Sequence, residues 1–448
     1  MVMKIFEKKW IGLIFLQLSA LNCIAQVEAW TYNKCIEYAL SQNIDIKQAA
    51  LNMQQYEINY RQSKSNLLPS VNASVSQSFG LQKNIDETTG EYGSYGSASS
   101  TSYGINASAT GFSGFKMKNQ IEQSQLQWES SKYYSETIKE SVELNILNAY
   151  LAILYAQEEV VNAEKQIEAT EQQLELTKER FDLGLISRSD YLEVKSEMAS
   201  EKLTLAKARS TLAMEKLNLM QLMELPVTGD FQVVFPDIEK LLPQITGEDA
   251  GTVYQQALQN KPQIKEAEYK VKSTVLDEKI ARAGLYPSLS ISAGVNTGWS
   301  SSQSGYSYGS QLSNSLNPNA GFTLSIPIFQ KNQVKNNIKI AQINIQGAQL
   351  EETNTKNSLR KEIEQAVTDL NTAGINYLAS IEQYEASKEA YAVATEKYEQ
   401  GILNSVDFML VKNSLISAES TLLQTKYNLL FSSKIIDFYK GYPIQFEN

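Results

Sequence analysis

A single offset organises this chain: short motifs recur 217–218 residues apart along most of its 448 residues. Ala39-Leu40 returns as Ala257-Leu258, Ile46-Lys47-x-Ala49 as Ile264-Lys265-x-Ala267, and Leu67-x-Pro69-Ser70 as Leu285-x-Pro287-Ser288. Lys118-Asn119-x-Ile121 matches Lys335-Asn336-x-Ile338, and Gly184 with Asp190-Tyr191 matches Gly401 with Asp407-Phe408. Chance matches drift in offset; these do not, so the chain reads as two copies of one supersecondary plan. The expected divisions are a leader at 1–25, a first repeat at 26–225, a linker at 226–250, a second repeat at 251–440 and a tail at 441–448.

Lys4, Lys8 and Lys9 precede the apolar run Trp10–Leu21, and Cys23-Ile24-Ala25 supplies a small-x-small cleavage pattern, the order of an export signal. Its removal takes +2 from a net charge of −10 and leaves −12, against general binding of nucleic acid. Histidine is absent and the only cysteines are Cys23 and Cys35, which excludes imidazole acid–base chemistry, the usual zinc sites and a disulfide framework. No catalytic residues, metal ligands or cofactor motifs are assigned. No later segment is continuously apolar over the length of a transmembrane helix, so insertion into a membrane needs strands.

Each repeat offers two. Val71, Ala73, Val75, Phe79 and Leu81 alternate with Asn72, Ser74, Ser76 and Ser78, and a second strand is expected over Tyr103–Phe112. Leu289, Ile291, Ala293 and Val295 oppose Ser290, Ser292 and Asn296, and Phe322, Leu324, Ile326 and Ile328 oppose Gly321, Thr323 and Ser325. Strands of about ten residues with one apolar and one small polar face suit a tilted membrane crossing, and equally a soluble sandwich. Gln82–Ser102 and Ser300–Asn319, rich in Gly, Ser, Tyr and Asn, read as exposed loops.

The remainder is helical with a seven-residue period. Ile146, Ile153, Val160, Ile167, Leu174 and Phe181 recur with small companions at Ala149, Ala156, Ala163, Thr170 and Thr177. The second repeat gives Ile363, Leu370, Tyr377, Tyr384, Tyr391 and Tyr398, with Ala366, Ala373, Ser380, Ser387 and Ala394. Return helices over Ser187–Glu224 and Asn404–Tyr439 keep the period. Such a repeat specifies left-handed supercoiling of helix on helix. The Tyr ladder from Tyr377 to Tyr398 reads as packing rather than as the lining of a duct.

Four strands cannot close a barrel, and open strand edges cannot stand in lipid, so membrane strands here demand several copies of the chain. The duplicated plan, with Phe181-x-x-Gly184-x-x-x-x-x-Asp190-Tyr191-Leu192 and its partner Tyr398-x-x-Gly401-x-x-x-x-x-Asp407-Phe408, resembles the TolC-like outer-membrane factors across the mature chain. The resemblance implies a mixed α and transmembrane-β fold, with a trimeric twelve-stranded barrel continuous with a periplasmic coiled-coil barrel. It also implies a passive exit duct in the outer membrane of a Gram-negative bacterium. Its partners would be outer-membrane lipid, a periplasmic adaptor and an inner-membrane transporter, for efflux of small molecules or, alternatively, secretion of protein.

The turns are the expected functional end. Gly184 and Gly401 sit where the long helices reverse, and Leu185-Ile186-Ser187 with Ile402-Leu403-Asn404-Ser405 form a rim suited to docking an adaptor. By resemblance, Asp407 matches the first of two ring carboxylates at the pore constriction, while the second position is Leu410. Asp190 and Tyr398 match a carboxylate–tyrosine link, and the expected arginine is Leu403. The plainer role of both aspartates is stabilisation of a helix N-terminus. Two other classes fit part of the pattern: a secreted trimeric coiled-coil fibre, which leaves the strands unexplained, and a carboxylate hydrolase, for which no pocket-forming segment is present.

Overall fold

A computed structural model describes residues 29–85, 90–226, 231–243, 247–303 and 305–446; the expected signal segment and Cys23 lie outside them. The elements run α1 (Tyr32–Gln42), α2 (Ile44–Ser65), β1 (Ser70–Ile85), β2 (Tyr92–Ser113), α3 (Lys116–Asp182), α4 (Arg188–Leu222) and α5 (Ile238–Leu241). The second repeat follows as α6 (Ala250–Asn260), α7 (Pro262–Ala283), β3 (Ser288–Ser300), α8 (Tyr308–Asn314), β4 (Asn317–Ser325), α9 (Gln333–Glu399) and α10 (Ser405–Lys440). Two units share these elements: residues 50–134 with 262–355, and residues up to 49 with 135–261 and 356–448.

The first unit holds an antiparallel sheet in the order β1-β2-β3-β4. Its register aligns the alternation of all four strands. Val71, Ala107, Ala293 and Ala320 form one row, and Ala73, Ile105, Val295 and Pro318 the next. The opposite face carries Asn72, Asn106, Gly294 and Asn319, then Ser74, Gly104, Asn296 and Asn317. Gly104 and Gly294 are spaces for their cross-strand partners: an added Cβ would meet Asn296 Oδ1 at 2.5 Å in the first case and collide with Asn106 Oδ1 in the second. The apolar face is bare, with Val71, Val75, Phe79 and Leu81 65–81 % exposed.

Several boundaries differ from the sequence reading. Residues 82–85 and 92–102 extend the β1–β2 ladder where a loop was expected, because Ser, Gly and Tyr pair as readily as they loop when a partner strand is available. Tyr308–Asn314, inside the second expected loop, forms α8. There β4 has ended and β3 continues, and α8 covers the bare edge. Ser315 Oγ receives Gly298 N–H and donates to Gly298 C=O, while Gln311 Oε1 receives Ser300 N–H at 2.8 Å. Finally, β4 stops at Ser325, so Ile326 and Ile328 lie beyond it; Pro327 has no N–H for a ladder.

The second unit is helical, with a core of Tyr32, Cys35, Ile146, Tyr150, Leu154, Leu219, Met223, Phe231, Leu430 and Phe446. Trp30 bridges Val233 in parallel, which ties the start of the described chain to the linker between repeats. Along α3 the small companions Ala149, Ala156, Ala163, Thr170 and Thr177 are all buried. They sit deeper than the heptad residues Ile167, Leu174 and Phe181, as close helix approach requires. The Tyr ladder is half-buried; Tyr398 stacks on Phe408 at 4.6 Å between ring centroids and Tyr391 packs tilted against it at 5.6 Å. Among the described residues, no helix is long and apolar enough to cross a membrane.

Candidate functional site

The two helix reversals share one geometry. Gly184 and Gly401 are left-handed at φ 74° and 73°. Leu185 N–H donates to Arg180 C=O and Gly184 N–H to Phe181 C=O; Ile402 donates to Lys397 and Gly401 to Tyr398. These are paired Schellman closures, for which glycine removes the Cβ penalty. The next helix is then capped three residues on. Ser187 Oγ receives Asp190 N–H and Asp190 Oδ2 receives Ser187 N–H, a reciprocal capping box. Asn404 Oδ1 receives Asp407 N–H at 2.9 Å, and Asn404 Nδ2 donates to Asp407 Oδ2 at 2.8 Å. Leu185 and Ile402 stand 70 % exposed, while Ile186 is half-buried and Leu403 packs towards Phe408 and Met409.

Asp190 also reaches the second repeat. Ser405, nearly fully buried, donates from Oγ to Asp190 Oδ1 at 2.5 Å, with Glu193 Oε2 3.0 Å from the same hydroxyl. Ser405, and then Ser187, hold the Asp190 carboxyl below its ordinary range. The ionised form is the one favoured, so this link is in place above the usual carboxylate range and is lost as pH falls through the depressed value. Among the described residues the Asp407 carboxylate bonds only to its own cap, and it is exposed. No hydrogen bond joins Asp190 and Tyr398 within the chain among the described residues. Tyr398 instead stacks on Phe408, with the Arg180 guanidinium 6.0 Å from its ring centre.

Sequence reasoning missed a second connection between the repeats. Lys412, 4 % exposed, donates from Nζ to Glu201 Oε1 at 2.8 Å and to Thr170 Oγ1, whose own proton goes to Gln166 C=O. Glu201 Oε2 is buried without a hydrogen-bond partner, and Glu197, one turn away, is pushed up first by burial and then by Glu201, with Lys412 opposing. The available signal was pattern: Glu201 falls three residues after Met198 and Lys412 four after Phe408, at places an apolar or small residue should hold. No cluster among the described residues has the makings of a metal site.

An antiparallel sheet with one bare apolar face, and heptad helices that reverse in paired capped turns, are the parts of an outer-membrane channel. The chain matches the family described as outer membrane efflux protein over residues 35–224 and 253–437, and it belongs to that family. It is 24 % identical over 410 residues to the probable efflux pump outer membrane protein TtgC of Pseudomonas putida, covering 91 % of this chain and 81 % of the relative. The open-state MtrE outer membrane channel of Neisseria gonorrhoeae superposes with a TM-score of 0.74 at 21 % identity, covering 91 % of this chain and 88 % of that one. VceC of Vibrio cholerae gives 0.76 at 15 %, covering 92 and 96 %. The protein is thus an outer-membrane efflux duct whose helices extend into the periplasm.

Proposed function

We propose that three copies close one barrel of twelve strands and export small molecules passively, driven by an inner-membrane transporter to which a periplasmic adaptor connects the tip. The observation that carries the trimer is the sheet itself. β1 and β4 each present a free edge, while the apolar face, which meets lipid, runs without interruption to both. Unpaired N–H and C=O groups cannot remain in hydrocarbon, and another copy's free edge supplies the partner strand.

Docking falls to the paired turns, where Leu185 and Ile402 stand bare on rigid closures. Leu185→Asp with Ile402→Asp leaves both glycine closures and both caps intact. The double variant is expected to insert normally but to lose most efflux, read as a several-fold fall in the inhibitory concentration of a pumped compound in a complemented deletion strain. Unchanged resistance at wild-type membrane levels would exclude docking at these residues.

Asp407, exposed beside the turn, is the constriction carboxylate in this reading, and three copies attract cations at the axis. Asp407→Ala is expected to abolish block of single-channel current by a trivalent cation such as hexamminecobalt. A block of wild-type strength in the variant assigns the constriction to other residues.

A further inference from the structure

The chain is acidic as a whole, yet the segments that join strands to helices at one end of the sheet carry only cations. The four strand–helix junctions all lie at the same end of the sheet, since β1 and β3 begin there and β2 and β4 end there. Ser113, Ser288 and Ser325 form its last cross-strand row. In residues 63–69, 114–120, 281–287 and 326–335 there are six cations, Lys64, Lys116, Lys118, Arg282, Lys331 and Lys335, and no Asp or Glu. All six are exposed. Arg282 is engaged by Glu278 and Lys64 lies over the Tyr60 ring, but Lys116, Lys118, Lys331 and Lys335 make no ion pair among the described residues.

The same junctions carry the large apolar side chains that stand clear of the protein: Leu68, Phe115, Tyr286, Ile328 and Phe329, each more than half exposed. Apolar residues followed within a few positions by long cations are the arrangement that snorkels, with the stems in hydrocarbon and the charges at headgroups. Backbone strain singles out one of these lysines. Gly114-Phe115 and Lys331-Asn332 are equivalent in the duplication, and all four residues are left-handed. Gly114 must be glycine, because a Cβ there would meet Ala283 C=O at 2.6 Å. Its counterpart Lys331 keeps a lysine at φ 47°, a conformation that its Cβ disfavours and a glycine would adopt freely.

We propose that this end of the sheet is a binding surface for anionic phospholipid headgroups of the periplasm-facing leaflet of the outer membrane. Lys116, Lys118, Lys331 and Lys335 engage the headgroup phosphates, and the exposed Leu, Ile and aromatic side chains enter the acyl region. The surface fixes the depth of the barrel strands and favours one leaflet over the other.

The test is thermal unfolding of the detergent-extracted full chain in mixed micelles containing dioleoyl phosphatidylglycerol or dioleoyl phosphatidylcholine. Phosphatidylglycerol is expected to raise Tm at concentrations at least roughly tenfold below those needed for phosphatidylcholine, and the preference should shrink with added salt. The quadruple variant Lys116→Gln, Lys118→Gln, Lys331→Gln, Lys335→Gln should lose the preference. The pairwise variants Lys116→Gln/Lys118→Gln and Lys331→Gln/Lys335→Gln should each lose part of it, so the result stands if the quadruple variant folds poorly. Equal stabilisation by the two lipids, an undiminished preference in both pairwise variants, stronger stabilisation by lipid A, or the same shift from inorganic phosphate alone would each overturn the proposal.

Discussion

Lys412→Met is expected to cost about 3–5 kcal/mol of unfolding free energy, the range for removing one partner of a buried ion pair. The reason is what remains. Glu201 is 6 % exposed and one of its oxygens already lacks a partner; without Lys412 the other loses its donor too. Thr170 Oγ1, committed as a donor to Gln166 C=O, cannot compensate. Pairing the change with Glu201→Met removes both charges at similar volume and is expected to restore most of the loss, because an apolar pair needs no desolvation. Chemical denaturation of the single and double variants measures this. Equal destabilisation in both would mean that packing of the lysine stem, not the charge pair, carries the energy.

Ile105→Arg is the second large effect. Ile105 sits on the apolar face of the central strand β2, opposite Ala73 and Val295, and is 58 % exposed in the single chain. A cation at mid-depth on a lipid-facing strand position costs about 2–4 kcal/mol, repeated in every copy. Ser108→Arg, a little further along the same strand, changes the polar face, where Ser70 and Ser292 are its neighbours. The level of folded, heat-resistant protein in outer-membrane fractions is expected to collapse for Ile105→Arg and to stay near wild type for Ser108→Arg. If both fell equally, the sheet would not present one face to lipid.

The duplication made the architecture legible because each motif marked a boundary: Pro69-Ser70 and Pro287-Ser288 open β1 and β3, and Gly184 and Gly401 close α3 and α9. Heptads placed the return helices within a residue or two, since their period is dictated by helix–helix packing. What stayed hidden depends on partners distant in sequence. The Ser, Gly and Tyr of residues 92–102 could not reveal a ladder that needs residues 76–85 opposite, and nothing local marks Gln311 as the cap of an orphan strand edge. Pro327, by contrast, was a readable stop that the alternation of Ile326 and Ile328 obscured. Nothing local foretold the partner of Asp190, Ser405, or the separate Lys412–Glu201 pair, because both links join residues over 200 positions apart.

With two open edges per chain, these strands can cross a membrane only as part of a shared barrel. Outer-membrane fractionation, followed by mass determination of the detergent-extracted protein, tests it directly. The expected result is a particle of three chains, found in the outer-membrane fraction and soluble only with detergent. A monomer, or an oligomer that stays in solution without detergent, would contradict the account and leave the sheet's apolar face without its lipid.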